Sequence, residues 1–289
     1  MALPFSSAAP PSAALPYAFL LSRRFSTNPN LCFSSALRRD ALPKPLSVEA
    51  LRNHFRRRSG VGLSASNLCE QERLAFDRSF LAVEEALSDD ELWAAVRLRV
   101  RTFYNFNDSY GIEDYKMYVA KREFEGLKDR IAGTTTGFKK ASCINATLPV
   151  SSFGGSADEL CSVCKFSQNG KDHVVVGTLD INWCLQLPDE LAGKRPGGIG
   201  ADLTRAYISN VCVAKELQRN GVGYALMAKS KEGARSWGIT DLYIHVAVDN
   251  EAAKKLYEKS GFVYESEESV QQARFLGRPR RYLLWTDLR

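Results

Sequence analysis

No Asp or Glu occurs before Asp40 in this chain, and no charge of either sign before Arg23. Ser, Ala, Pro and Leu fill the opening, and Arg23, Arg24, Arg38 and Arg39 then arrive without acidic neighbours. An acid-free, Ser- and Arg-containing start reads as an organelle transit peptide. A secretory signal fits less well: the apolar stretch Leu15–Leu21 has no basic residues ahead of it, Pro16 interrupts it, and a double Arg follows. A mitochondrial leader would carry Arg early on an amphipathic helix, so the long uncharged opening favours the plastid, with the mitochondrion as second choice. Nothing after the leader approaches the length of an apolar membrane span. Cysteines number seven, odd and scattered, which excludes a disulfide framework and implies reduced thiols. Cys161 and Cys164 form one Cys-x-x-Cys with no second pair at zinc spacing, so no metal is expected. They fall in the alternating segment Leu160–Phe166, which reads as a strand with the two thiols on opposite faces.

The leader also accounts for the net charge of +6. Residues 1–59 hold nine of the 39 Lys and Arg and two of the 33 Asp and Glu, leaving 30 basic and 31 acidic residues in the rest. A near-neutral body removes the case for nucleic acid that a basic chain would otherwise invite. The expected organisation is a disordered transit peptide over 1–59, a connector over 60–78 and one domain over 79–289.

Within that domain, Phe80–Glu84 alternates like a short strand. Ser88 followed by Glu91 forms a capping box, and the helix behind it carries Leu92, Val96, Val100 and Phe103 at helical spacing. Arg97, Arg99 and Arg101 occupy its other side. A second helix is expected over Glu113–Ile131, a long loop over Gly133–Asp158, and strands over Glu159–Phe166 and His173–Leu185 around an Asn169-Gly170 turn. Pro188–Asp202 is a glycine-rich linker. A strand over Ala206–Val213, a helix to about Trp237, a strand over Asp241–Val248, a helix over Asn250–Lys259 and a final strand pair around a basic loop complete the domain. The expected fold class is α/β (α+β): a mixed central sheet of about seven strands with helices on both faces.

The strand Ala206–Val213 runs into Gln218-Arg-Asn-Gly221-Val-Gly223 and then a helical pattern. Glycines let the backbone approach a ligand, and successive N–H groups at a helix start suit a phosphate. The chain lacks the Gly-Lys-Ser/Thr of a P-loop there, and the spacing is not Gly-x-Gly-x-x-Gly. A second block, Asn250-x-x-Ala253-x-x-Leu-Tyr257-x-x-x-Gly261-Phe262, follows one helix and one strand later. Together the two blocks, over Ala206–Phe262, resemble the GNAT superfamily of acetyl-CoA-dependent N-acetyltransferases. Asn250 and Tyr257 stand almost two helical turns apart, on one face and about 10 Å from each other.

The resemblance implies that acetyl-CoA is held by the backbone of Val211, Cys212 and Val213, where the strand splays from its parallel neighbour. It also implies contacts from the loop Gln218, Arg219, Asn220, Gly221, Val222, Gly223 and Tyr224, and from Asn250, Glu251 and Ala252 at the next helix. Tyr257 then faces the thioester sulfur. A phenol near pKa ~10 is a weaker acid than a thiol near ~8.5, so hydrogen bonding to developing negative charge is its minimum role. The attacking amine must be neutral, and a proton acceptor is needed. Tyr207 and His245 are the candidates; the chain has only three His, and the other two lie in the leader and at a strand edge. This pairing resembles one subgroup of protein N-terminal acetyltransferases, with Ser209 and Asn210 as possible substitutes. The leading expectation is a plastid enzyme acetylating protein or peptide α-amines, with lysine side chains as further acceptors. A small-amine (polyamine or arylalkylamine) acetyltransferase and a non-catalytic acetyl-CoA sensor are the alternatives.

Overall fold

Eight strands build one sheet in the computed structural model, which describes residues 76–106, 110–153, 157–184 and 205–289. The strands are β1 (Ala82–Glu85), β2 (Phe138–Pro149), β3 (Lys165–Gln168), β4 (Lys171–Cys184), β5 (Arg205–Val213), β6 (Asp241–Ala247), β7 (Val263–Glu267) and β8 (Arg281–Asp287). Their spatial order is β1-β2-β4-β5-β6-β8-β7, with β3 on β4 beside that path. All pairings are antiparallel except β5–β6. The leader, connector residues before 76 and the linker Pro188–Asp202 lie outside the described residues.

Helices cover both faces, as expected. On one side lie α1 (Asp89–Phe103), α2 (Ile112–Ile131) and α3 (Asp158–Cys164); α1 packs on α2, α3 and β4. On the other, α4 (Val222–Ser236) packs on β4, β2 and β5 and touches α5 (Glu251–Lys259). The Ser88 capping box closes as the spacing predicts: the Glu91 amide donates to Ser88 Oγ at 3.2 Å, and the Ser88 amide to Glu91 Oε2 at 3.0 Å. Leu92, Val96, Val100 and Phe103 turn inward and are buried. Ile144, Leu179, Ile181, Ile208, Leu226 and Leu242 form the middle of the core, and burying each such side chain contributes roughly 1.5–3 kcal/mol.

Four expectations need correction. Gly133–Asp158 is not one long loop: it holds the twelve-residue β2. Ile144, Ala146 and Leu148 give one face a short apolar alternation, but the other face, with Ala141, Cys143 and Asn145, is small or polar yet buried, so the strand is hard to see from its pattern. Leu160–Cys164 is helix, not strand, which puts Cys161 and Cys164 one turn apart on the same side of α3. The basic loop between the last strands contains α6 (Val270–Leu276), started by the Ser269 hydroxyl accepting from the Gln272 amide at 3.1 Å. Arg99, expected on the side of α1 away from the apolar stripe, turns inward. It is only 3 % exposed and points at the sheet, where Asp180 of β4 meets it.

Candidate active site

β5 is paired on both sides only at its start. Residues Arg205–Ile208 run parallel to Asp241–Ile244 of β6, and the ladder stops there, while β5 continues along β4 to Val213. The sheet forks, so the inner edge of Asn210–Val213 has no ladder partner on β6. A bulge coincides with the fork. Thr178 faces Cys212 and Asp180 faces Ser209, so three steps on β5 span two on β4. Asn210 sits in the bulge at φ 56°, a left-handed conformation that Asn tolerates better than most residues.

At the base of the fork Tyr207 and His245 meet. The register sets Tyr207 opposite Tyr243, two residues before His245, so both side chains emerge on one face, on either side of the last rung Ile208–Ile244. Tyr207 Oη lies 2.7 Å from His245 Nδ1, and both residues are buried. Burial, aided by the Arg281 and Arg278 charges, holds the imidazole well below its ordinary pKa, so it is neutral at physiological pH. Those two arginines face Glu268, which Arg278 engages at 2.5 and 2.6 Å. Of the proposed substitutes, Ser209 accepts from Asn182 Nδ2 at 3.0 Å, and the Asn210 amide is committed to Asp180.

The Gly-rich loop opens on solvent at the start of α4. Gly221 has φ 84° and Arg219 φ 67°, so the chain turns sharply just before Val222 and leaves the first-turn N–H groups facing outward. No acidic residue lies in that turn. The two glycines serve different ends. A Cβ on Gly223 would approach Leu256 Cδ2 of α5 to 3.0 Å, so Gly223 also lets α4 and α5 pack closely. A Cβ on Gly221 would stand 3.5 Å from the Arg78 guanidinium, a cation that sequence reading missed because it lies 143 positions earlier in the chain. Gln218 reaches back to the Val213 carbonyl at 3.3 Å, tying loop to strand.

Asn250 caps α5, its Oδ1 accepting from the Ala253 amide at 3.1 Å. Tyr257 follows two turns on, buried, with its ring 6.2 Å from that of Phe262. Glu251 and Ala252 are exposed beside the cap, and Tyr224 is exposed on α4. Cys212 is buried, and burial pushes its thiol up to about 12 despite the nearby Arg99 charge, so it is no ready nucleophile. Among the described residues no group of three or more His, Cys, Asp and Glu could hold a metal ion, and no helix is long and apolar enough to cross a membrane.

Residues 149–262 match the acetyltransferase (GNAT) family. The chain is 55% identical over 244 residues to GCN5-related N-acetyltransferase 7, chloroplastic, of Arabidopsis thaliana, covering 84% of this chain and 86% of that protein. It is 31% identical over 205 residues to GCN5-related N-acetyltransferase 6, chloroplastic, of the same plant, covering 66% and 64%. Among solved structures, an N-acetyltransferase from Staphylococcus aureus Mu50 aligns over 72% of this chain and 99% of its own, at 11% identity and a TM-score of 0.42.

Proposed function

Because the chain belongs to the GCN5-related N-acetyltransferase family, and is a plastid N-acetyltransferase, we propose that its acceptors are protein and peptide amines. We infer a preference for the α-amine of chain N-termini over lysine side chains. The observation that carries this is the buried Tyr207–His245 contact at 2.7 Å. Tyr207 can take a proton from the amine, directly or through water, while passing its own to His245 Nδ1. With the imidazole held below 6.5, accepting a proton from an α-ammonium of pKa about 7.7–8.0 costs at least about 2 kcal/mol. From an alkylammonium near 10.4 it costs at least about 5 kcal/mol, whether lysine or polyamine carries it. The weak base therefore suits the weakly basic amine.

Acetyl-CoA supplies the activated acetyl thioester. The fork and the cradle fit it: Val211–Val213 offer backbone along the open edge, and the turn Gln218–Tyr224 offers N–H groups for a diphosphate. Arg78 adds positive charge beside Gly221. Asn250, Glu251 and Ala252 are assigned to the pantetheine side, and the Tyr257 hydroxyl to the departing sulfur.

The test is one panel. Purified chain with acetyl-CoA is offered N-terminal peptides, lysine peptides, polyamines and arylalkylamines, and kcat/KM is compared. N-terminal peptides should lead. A polyamine or arylalkylamine leading would replace this reading, and acetyl-CoA binding without turnover on any amine would make the protein a sensor. Residues 1–59 are proposed as the import signal. A fluorescent fusion that stays in the cytosol or enters the secretory route would reject that role.

A further inference from the structure

Beneath the fork lies a buried polar cluster that the acetyl-transfer chemistry does not use. Asp180 of β4 is fully buried and accepts four hydrogen bonds from three residues. Arg99 of α1 grips it with both terminal nitrogens, at 2.6 Å to Oδ1 and 3.0 Å to Oδ2. Arg130, in the last turn of α2, reaches Oδ2 at 3.2 Å. The Asn210 amide donates to the same oxygen at 2.7 Å. Arg99 also donates to Thr178 Oγ1 at 2.9 Å. One carboxylate thus ties two helices and a neighbouring strand together, and its contact on that strand is the bulge residue.

A bulge does not require this. Glycine at position 210 would adopt φ 56° without steric cost. Buried ion pairs are no reliable source of stability, because desolvation offsets their attraction. Their attested use is to specify one geometry among several. The geometry at stake is the direction of Val211–Val213, which leave β6 within three residues of Ile208.

We propose that Asp180 is a positioning residue: through Asn210 it fixes the bulge that aims the Val211–Val213 backbone at the acetyl carbonyl. This rests on the reading of the fork as the acetyl-CoA slot. The cluster acts on alignment, not on the hold over the nucleotide end, which belongs to the separate loop at α4. An oxyanion donor displaced by a fraction of an ångström loses much of its worth in the transition state, while ground-state binding barely notices.

The experiment uses full-length wild type, Asn210→Gly and Arg130→Gln. Asn210→Gly keeps the left-handed backbone and removes the amide. Arg130→Gln loosens the cluster from the far end of α2 and leaves the Arg99 grip intact. For each protein, melting temperature, calorimetric Kd for CoA, and kcat and KM for acetyl-CoA are measured. Asn210→Gly should lower kcat about tenfold, with Kd for CoA within twofold of wild type. Arg130→Gln should show the same signature at two- to threefold. Wild-type kcat in both variants overturns the proposal, as does a fall in kcat matched by an equal weakening of CoA binding. Should Asn210→Gly fail to fold, Arg130→Gln decides alone. Wild type that binds neither CoA nor acetyl-CoA sinks the slot itself, a failure visible before any variant is made.

Discussion

Along β5, Ala206–Ile208 pairs with β4 on one side and β6 on the other, whereas beyond them Ser209, Cys212 and Val213 pair with β4 alone, around the bulge at Asn210. The closed half behaves as core: Ala206 and Ile208 are wholly buried and held by two ladders. The open half leaves backbone polar groups along the inside of a sheet, where a protein ordinarily satisfies them. Such an edge is a liability in a resting fold and an asset when an extended ligand with its own amides can lie along it. The difference teaches that stability and recognition can be divided within one strand, at a boundary of two residues. Tyr207 and His245 lie on the closed side of that boundary, and under the proposed function the cradle and Tyr257 act on the open side.

The comparison is broken most sharply at Tyr257. Tyr257→Phe keeps the ring against Phe262 and removes only the hydroxyl. If that hydroxyl meets the departing sulfur, kcat should fall about 10–10³-fold with KM for acetyl-CoA almost unchanged. Steady-state kinetics checks this, and an unaltered kcat would return Tyr257 to the core.

The two glycines sharpen it next. Gly221→Val forces a β-branched residue to φ 84° beside Arg78, so calorimetry should show acetyl-CoA binding weakened at least about tenfold. Gly223→Ala should act on packing instead. Its methyl meets Leu256, and thermal melts should show a loss of about 1–3 kcal/mol. Equal effects of both on affinity would contradict their separation.

On the closed side, Tyr207→Phe and His245→Ala should each lower kcat/KM by about 10²-fold, the low end for general acid–base groups, and more for lysine acceptors than for α-amines. If the two groups, 2.7 Å apart, share one proton path, the double variant should fall short of the product of the singles. A multiplicative double variant would mean that they act separately.

The smallest effect is on stability. The folded His245 pKa lies well below 6.5, with Tyr207 in contact and the Arg281 and Arg278 charges, paired with Glu268, close by. As pH falls, the unfolded chain therefore takes up the proton first. Stability is fully present above about 6.5 and declines below it by up to about 1.4 kcal/mol per pH unit, until the folded imidazole also protonates. Denaturant melts at pH 7.5, 6.5 and 5.5 should show this slope, flattened in His245→Gln.

Much of the site was legible in the chain. The Gln218–Gly223 loop and the Asn250–Phe262 block are local patterns, and their geometry follows from a turn, a cap and a helical period. The capping box at Ser88 was legible for the same reason. β2 was not, since its Ile144 and Leu148 are only two large apolar residues among Ala, Ser, Cys and Asn, which are buried on both faces but carry little pattern. Arg99 was not either. The sequence places Arg99 on the side of α1 away from Leu92 and Val96, and only Asp180, 81 residues later, turns it inward.

What the sequence determined by itself is therefore what neighbours in the chain can settle: the two motif blocks, most helix starts, and the pairing of Asn250 with Tyr257 along one face. Tertiary structure decided what depends on which strands lie side by side. It brought Tyr207 to His245 across 38 residues, set the point where β5 leaves β6, and gave Gly223 to Leu256 and Asn210 to Asp180. The physical reason is range. Caps, turns and periods are closed by bonds within a few residues, whereas a fork, a buried ion cluster and a close helix contact exist only once the sheet order has chosen their partners.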